Sequence, residues 1–112
     1  MPLRPPRAFS NSTPAIPALD YEIAQEQASA LGRLGRKLEA ALAALSDHER
    51  MYGRRGAGRG RLVAAASEAL WCFVIQREAC GLRDTRSAIG AYRVPAEVRN
   101  AMGAFGKKAS AD

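Results

Sequence analysis

The sequence predicts an all-α fold: two long antiparallel helices that form a helical hairpin, and one or two short C-terminal helices. Apolar residues recur at helical spacing over two long segments, which is typical of amphipathic helices. A glycine-rich stretch separates these segments, as a connecting loop would. No segment shows strand-like patterning. At 112 residues, the chain has room for one domain.

The composition indicates a thin hydrophobic core. Hydrophobic residues make up 47% of the chain, but 23 of them are alanine, and leucine, isoleucine, valine and phenylalanine together number only 21. A monomer with so few large apolar side chains is marginally stable. The sequence therefore predicts that dimerisation completes the bundle. No apolar run approaches the roughly 18 residues of a membrane span, so no membrane association is expected.

The first 16 residues are predicted to form a disordered, proline-rich arm. Their prolines are incompatible with the amphipathic helix of a transit peptide, and they contain no apolar segment of the secretory type. We therefore expect a cytoplasmic protein with a single helical domain over residues 17–106. Residues 107–112 are expected to be a disordered tail.

The first helix is predicted over residues 17–46, and residues 47–52 can extend it. Pro17 suits a first-turn position, where its missing N–H costs nothing. Positions spaced alternately three and four apart form a coiled-coil-like seam. This seam consists of Ala24, Gln27, Leu31, Leu34, Leu38, Ala41 and Leu45.

A flexible loop is predicted at residues 53–60, because four glycines in eight residues do not sustain a helix. The second long helix, over 61–81, carries apolar residues around much of its circumference, which predicts a central position. Gly81 is expected to end it in the left-handed conformation.

Two short helices are predicted after Gly81. Asp84 is expected to cap the first, which runs to about Tyr92. Pro95 is expected to begin the second, and Gly103 and Gly106 are expected to stop it.

Three strings in the chain resemble a family of small bacterial proteins of unknown function. The first string is Leu19-Asp20-Tyr21-Glu22-Ile23-Ala24-Gln25-Glu26. The second runs from Glu68 to Asp84, and the residues that carry the likeness are Glu68 to Trp71 and Gln76 to Asp84. The third runs from Tyr92 to Pro95. The likeness covers roughly residues 18–103. The family has no assigned activity, so the resemblance implies no mechanism.

The leading functional hypothesis is a non-enzymatic helical interaction or scaffold protein that self-associates, with an unknown protein partner as a further possibility. Extended apolar faces on a slender hairpin favour burial against a partner. His48 is the only histidine, and no spacing typical of metal ligands or of a catalytic constellation surrounds it. We therefore predict no catalytic residue, no cofactor and no metal. The predicted partner interface is Leu31, Leu34, Leu38, Leu45, Trp71 and Ile75.

The alternative hypothesis is a nucleic-acid-associated accessory protein. The formal net charge is +6, and arginines cluster in and beside the glycine-rich loop. Arginine on a flexible backbone can contact phosphates and stack on bases. An arginine-rich, alanine-rich composition can also follow from genome base composition. The predicted polyanion contacts are Arg54, Arg55, Arg59 and Arg61.

A dense polar cluster follows the second helix. It is interpreted as structural ion pairing that ties helices together, with a small-ligand or partner site as the alternative. Cys80 stands at the end of that helix, where the helix end and a nearby arginine act on its thiol in opposite directions, so its reactivity stays open. The cluster consists of Gln76, Arg77, Glu78, Arg83 and Asp84.

Overall fold

The computed structural model of the protein describes residues 15–111 and the side chains of residues 17–104. These residues form four helices and no strand, which confirms the all-α prediction. Most of the predicted proline-rich arm lies outside the described residues; its last two residues begin the first helix. The helices are α1 (Ala15–Tyr52), α2 (Arg59–Ala79), α3 (Thr85–Tyr92) and α4 (Ala96–Ala111).

Helices α1 and α2 form the predicted antiparallel hairpin. Near the connecting loop, the His48 ring lies 2.8 Å from the Ala57 carbonyl oxygen. Farther from the loop, Gly35 lies against the Phe73 ring. Residue numbers therefore fall along α1 as they rise along α2. The predicted extension of the first helix through residues 47–52 is present.

The core lies between α1 and α2 and extends to α3 and α4. The α4 contact includes Ser67, whose hydroxyl donates to the Val63 carbonyl at 2.8 Å and lies 3.3 Å from the Val98 carbonyl. This satisfies the one buried polar side chain among the described residues. The buried apolar side chains are Leu38, Leu45, Val63, Ala66, Leu70, Phe73, Val74, Ala88, Val94 and Val98.

The loop between α1 and α2 spans only residues 53–58, two residues fewer than predicted. The Gly53 N–H donates to the Glu49 carbonyl at 2.8 Å, and the Arg59 N–H donates to the Gly56 carbonyl at 3.3 Å. Gly53 and Gly58 both have positive φ, of 75° and 89°, which glycine adopts without steric cost. Glycines therefore allow a tight reversal here, and Gly60 falls inside α2 instead of in the loop.

The predicted end of the second helix and start of the third are confirmed. Gly81 has φ 86°, and the Leu82 N–H donates to the Arg77 carbonyl at 2.8 Å, as in a left-handed helix cap. The Asp84 carboxylate accepts from the Ser87 N–H at 3.1 Å and so caps α3.

The predicted stop of the last helix at Gly103 and Gly106 is wrong. Helix α4 runs through both glycines to Ala111, so the backbone of residues 107–111, predicted as a disordered tail, is helical. A glycine costs a helix only about 1 kcal/mol relative to alanine, and strong helix formers flank both positions. Asp112 lies outside the described residues.

Helix α1 is much longer than its partner. At about 1.5 Å per residue, its 38 residues span about 57 Å and the 21 residues of α2 about 32 Å. Because Gly35 lies level with Phe73, α2 ends level with about residue 29 of α1. All side chains of residues 17–26 are exposed. We call residues 17–28, which project beyond α2, the overhang.

Candidate functional site

The overhang carries large apolar side chains with no cover from the described residues. Leu19 is 55% exposed and Ile23 is 48% exposed. On a wheel of about 100° per residue, these two and Ala30 fall within about 40° of one another. The overhang therefore presents an apolar stripe to its surroundings.

The stripe leads into a groove on the hairpin itself. Leu34 and Ala41 lie on the same side of α1 as Ile23, within about 20° on the wheel, and both line a depression of about 280 Å³ between α1 and α2. We call this depression the hairpin groove. Its residues are Leu34, Lys37, Ala41, Ala65, Glu68, Ala69 and Cys72.

The outward side of α2 continues this surface toward α4. A second, more open depression of about 510 Å³ shares Ala65 and Glu68 with the hairpin groove and reaches Ala101 and Ala104. Ile75, farther along α2, is 43% exposed. Exposed apolar side chains that lie near one another mark interaction surfaces, so this side of the molecule is the candidate functional site.

Part of the predicted partner interface is internal. Leu38 and Leu45 are 0% and 3% exposed and pack in the core, so the prediction that they face a partner is wrong. Leu31 and Leu34 are half-buried against that core. Burial of this seam follows from the length of α2, which covers α1 from about residue 29 to the loop.

Trp71 and Ile75 lie on α2, away from the center of the core. Trp71 is half-buried, and Ile75 is exposed. The apolar side of α2 that was predicted to contact a partner is therefore partly exposed.

Charged side chains line one edge of the apolar stripe, and the acidic and basic residues occupy separate parts of it. Glu22 and Glu26 lie in the overhang, whereas Arg33 and Lys37 lie beside the hairpin groove, and all four fall within about 60° on the wheel. Arg33 and Glu26 form an exposed ion pair at 3.4 Å. This edge is thus acidic toward the N-terminus of α1 and basic toward its middle.

Arg59 joins three parts of the fold at the opposite end of the hairpin. Its guanidinium donates to Glu97 on α4 at 2.6 and 3.0 Å and to Glu49 on α1 at 2.8 Å. Its side chain is only 12% exposed. Hydrogen bonding to Glu97, and then to Glu49, raises the pKa of the Arg59 guanidinium above its usual range. The same bond to Arg59 lowers the pKa of the Glu97 carboxyl.

The four arginines predicted to contact polyanions differ in their exposure and in their ion pairs. Arg55 and Arg61 are exposed, and so is Arg54, which reaches Glu97 at 3.5 Å. Arg59 instead sits in the first turn of α2, with both carboxylates on its guanidinium. Its predicted place in a flexible loop is therefore wrong.

The predicted polar cluster contains no ion pair among the described residues. Arg77 donates to the Asp84 backbone carbonyl at 3.1 Å and lies over the Phe73 ring, 6.0 Å from its centroid. The Gln76 amide lies 3.6 Å from the Cys80 sulfur. Glu78 and Arg83 are exposed at the turn after α2. Within this cluster, Arg77 ties the end of α2 to the backbone that precedes α3.

Sequence reasoning missed two structural residues. His48, for which the sequence indicated neither a metal-binding nor a catalytic role, is half-buried, and its Nε2–H donates to the Ala57 carbonyl oxygen. Glu97 was not among the predicted site residues. Only its position opposite Arg59, 38 residues away, reveals its role, and no local pattern encodes that.

Comparison with known proteins identifies a family but no activity. The model of a family of unknown function, DUF6665, matches residues 9–110. No curated protein and no solved structure matches the chain significantly. Within the part of the chain that the structure describes, no helix has the length and apolarity that crossing a bilayer requires.

Proposed function

We propose that this chain, which belongs to the DUF6665 family of unknown function, is a non-enzymatic helical interaction protein that self-associates as a homodimer. The observation that carries the proposal is the overhang. Leu19 and Ile23 are each about half exposed there, on a helix segment that nothing else in the described chain covers.

The free energy gained by burying apolar side chains favours association over an overhang that is exposed to water. Burying a leucine or isoleucine side chain stabilises by about 1.5–3 kcal/mol relative to leaving it exposed. The overhang, the hairpin groove and Ile75 lie on apolar surface available to a partner. A homodimer is the most common closed assembly of a soluble chain.

The test is the mass of the full chain in solution. Light scattering coupled to size-exclusion chromatography is expected to give twice the chain mass of 12.0 kDa at micromolar concentration. Ile23→Ser is expected to raise the dimer dissociation constant by about tenfold or more, because it removes a buried aliphatic side chain from each of the two copies. A wild-type chain that stays monomeric would overturn the proposal.

Tyr21→Ser is the matched control. Tyr21 is also a large exposed side chain of the overhang, but it lies about 160° from Ile23 on the wheel. Its removal is expected to leave the dimer intact. Equal weakening by both substitutions would indicate a general effect on α1 instead of a specific face.

A second candidate function, nucleic-acid binding, is favoured by one observation. Arg54, Arg55 and Arg61 are all exposed near the loop end of the hairpin. Replacing these three by alanine is expected to weaken binding to a duplex and to reduce its dependence on salt concentration. Arg36→Ala, remote from the loop, serves as the control. Absent or salt-independent binding would remove this candidate.

A further inference from the structure

We propose that the two copies pair antiparallel along α1, so that the overhang of each copy lies in the hairpin groove of the other. This inference rests on the proposed self-association and adds its geometry. The twofold axis would pass near residues 29 and 30 of both α1 helices.

The length of α1 supports this arrangement. The overhang ends where α2 begins to cover α1, near residue 29. A twofold axis at this level places the overhang of one copy beside the segment of the other copy that α2 covers. Leu19 would then lie level with residue 40 of the second copy and Ile23 level with residue 36. Leu34 and Ala41 line the hairpin groove across this interval.

The charges along the edge of the stripe select the same register. Glu22 and Lys37 are equally far from a point between residues 29 and 30, and so are Glu26 and Arg33. Each acid of one copy would therefore lie level with a base of the other. Opposite charges at such flanking positions set partner orientation in helical pairs.

Two other arrangements of the same helices lack this complementarity. A parallel, in-register pair would place the charged edges of the two copies on opposite sides of the interface, so that no acid of one copy would face a base of the other. An antiparallel pair confined to the overhangs would gather the acids of both copies, including Asp20. Like charges at facing positions destabilise helical contacts.

Cys72 provides a native reporter of the register. It lines the hairpin groove and lies level with about residue 36 of its own α1, because Gly35 lies against Phe73. In the proposed dimer, Ile23 of the second copy lies at that level. Within one chain, Ile23 is about 20 Å from Cys72 along the helix axis.

The experiment is cross-linking of the full chain with a short bismaleimide. Cys80→Ser leaves Cys72 as the only native thiol among two cysteines, and Ile23→Cys adds the probe. We expect a covalent dimer in which peptide mapping links residue 23 to residue 72. Gln25→Cys, on another side of the overhang, is the matched control and is expected not to link to Cys72.

The outcomes separate the register from the self-association. If the Cys80→Ser, Ile23→Cys chain is itself a dimer by light scattering at the concentration used and gives a 23–23 link, or no link to Cys72, the register is overturned and the proposed function stands. A chain that is monomeric by light scattering before any thiol is introduced overturns both. A 23–72 link between chains supports both.

Charge reversal gives a second readout that needs no cysteine. Glu22→Lys with Glu26→Lys is expected to weaken the wild-type dimer by about tenfold. Adding Arg33→Glu and Lys37→Glu to that chain is expected to restore the dimer, because the facing pairs become opposite again. Failure of the fourfold variant to regain affinity would count against the register.

Discussion

The hydroxyl oxygen of Tyr92 occupies the space where a side chain at Gly35 would begin. A Cβ atom built on Gly35 would lie 2.5 Å from that oxygen, 3.4 Å from the Phe73 ring and 3.6 Å from Tyr92 Cζ. The Phe73 and Tyr92 rings meet edge to face, with centroids 5.2 Å apart. The glycine thus lets α3 pack closely against the hairpin.

Gly35→Ala is expected to destabilise the wild-type chain by about 1 kcal/mol, because overpacking outweighs the gain in helix propensity. In a Tyr92→Phe background the oxygen is gone, and the same substitution is expected to stabilise by up to about 1 kcal/mol. Urea unfolding of the four proteins measures the difference. The same effect of Gly35→Ala in both backgrounds would contradict the close approach.

Two loop-region glycines are expected to respond in opposite directions. A Cβ at Gly56 would lie 2.6 Å from Tyr52 Cβ and 2.9 Å from His48 Cε1, whereas one at Gly60 meets nothing within 4 Å. Gly56→Ala should therefore destabilise by about 1–3 kcal/mol. Gly60→Ala, inside α2, should stabilise by about 0.5–1 kcal/mol. Thermal unfolding compares them, and stabilisation by both would mean that the loop does not pack against α1.

Arg93 is expected to be replaceable by glycine with a gain in stability. It ends α3 with φ 55° and ψ 47°, a left-handed conformation that costs an L-residue about 1–2 kcal/mol. Arg93→Gly should raise the free energy of unfolding by about 1 kcal/mol or slightly less. Arg86→Gly, inside α3, should instead lower it by about 1 kcal/mol. A loss of stability in Arg93→Gly would show that the arginine side chain stabilises the turn.

The Arg59–Glu97 pair is expected to make stability fall in acid. The pKa of the Glu97 carboxyl is lowered from its ordinary value of 4.5 in the folded chain, so the folded state binds its proton less readily than the unfolded state. The stabilisation of the folded chain by the ionised Glu97 carboxylate is therefore complete above the ordinary pKa, and it is lost as the pH falls through the lowered pKa. Glu97→Gln should reduce the fall of the melting temperature between pH 6 and pH 3.

The control for this pH dependence is Glu39→Gln. Glu39 is exposed and has no ion pair among the described residues, so its substitution should leave the acid dependence close to that of the wild type. If Glu97→Gln also tracked the wild type throughout, the Arg59–Glu97 bond would not contribute to stability in solution.

Local chemistry was enough to predict the order of the helices and most of their ends. Gly81 and Asp84 act through their own backbone and side-chain geometry, which sequence reveals directly. Gly103 and Gly106 misled the prediction because a modest propensity penalty does not end a helix among strong helix formers. Helix existence was therefore easier to predict than helix length.

The candidate site depended on what local patterns do not contain. Leu38 is buried and Ile23 is exposed because α2 covers α1 only from about residue 29 to the loop. This limit depends on the difference in length between the two helices. The partners of Arg59 are likewise set by the approach of α4 to α2. Burial and ion pairing here are properties of the assembled hairpin.

Because α1 is longer than α2, the helix content of the chain is expected to depend on the protein concentration. A helical segment of about 12 residues with no tertiary cover is marginal in water, so we expect the overhang to fray from its N-terminal side in dilute solution. Association would supply the missing contacts and order those turns, which makes far-ultraviolet circular dichroism deepen as the sample is concentrated. The dissociated chain would accordingly be open to proteases between Leu19 and Gln27, and the associated chain would resist them.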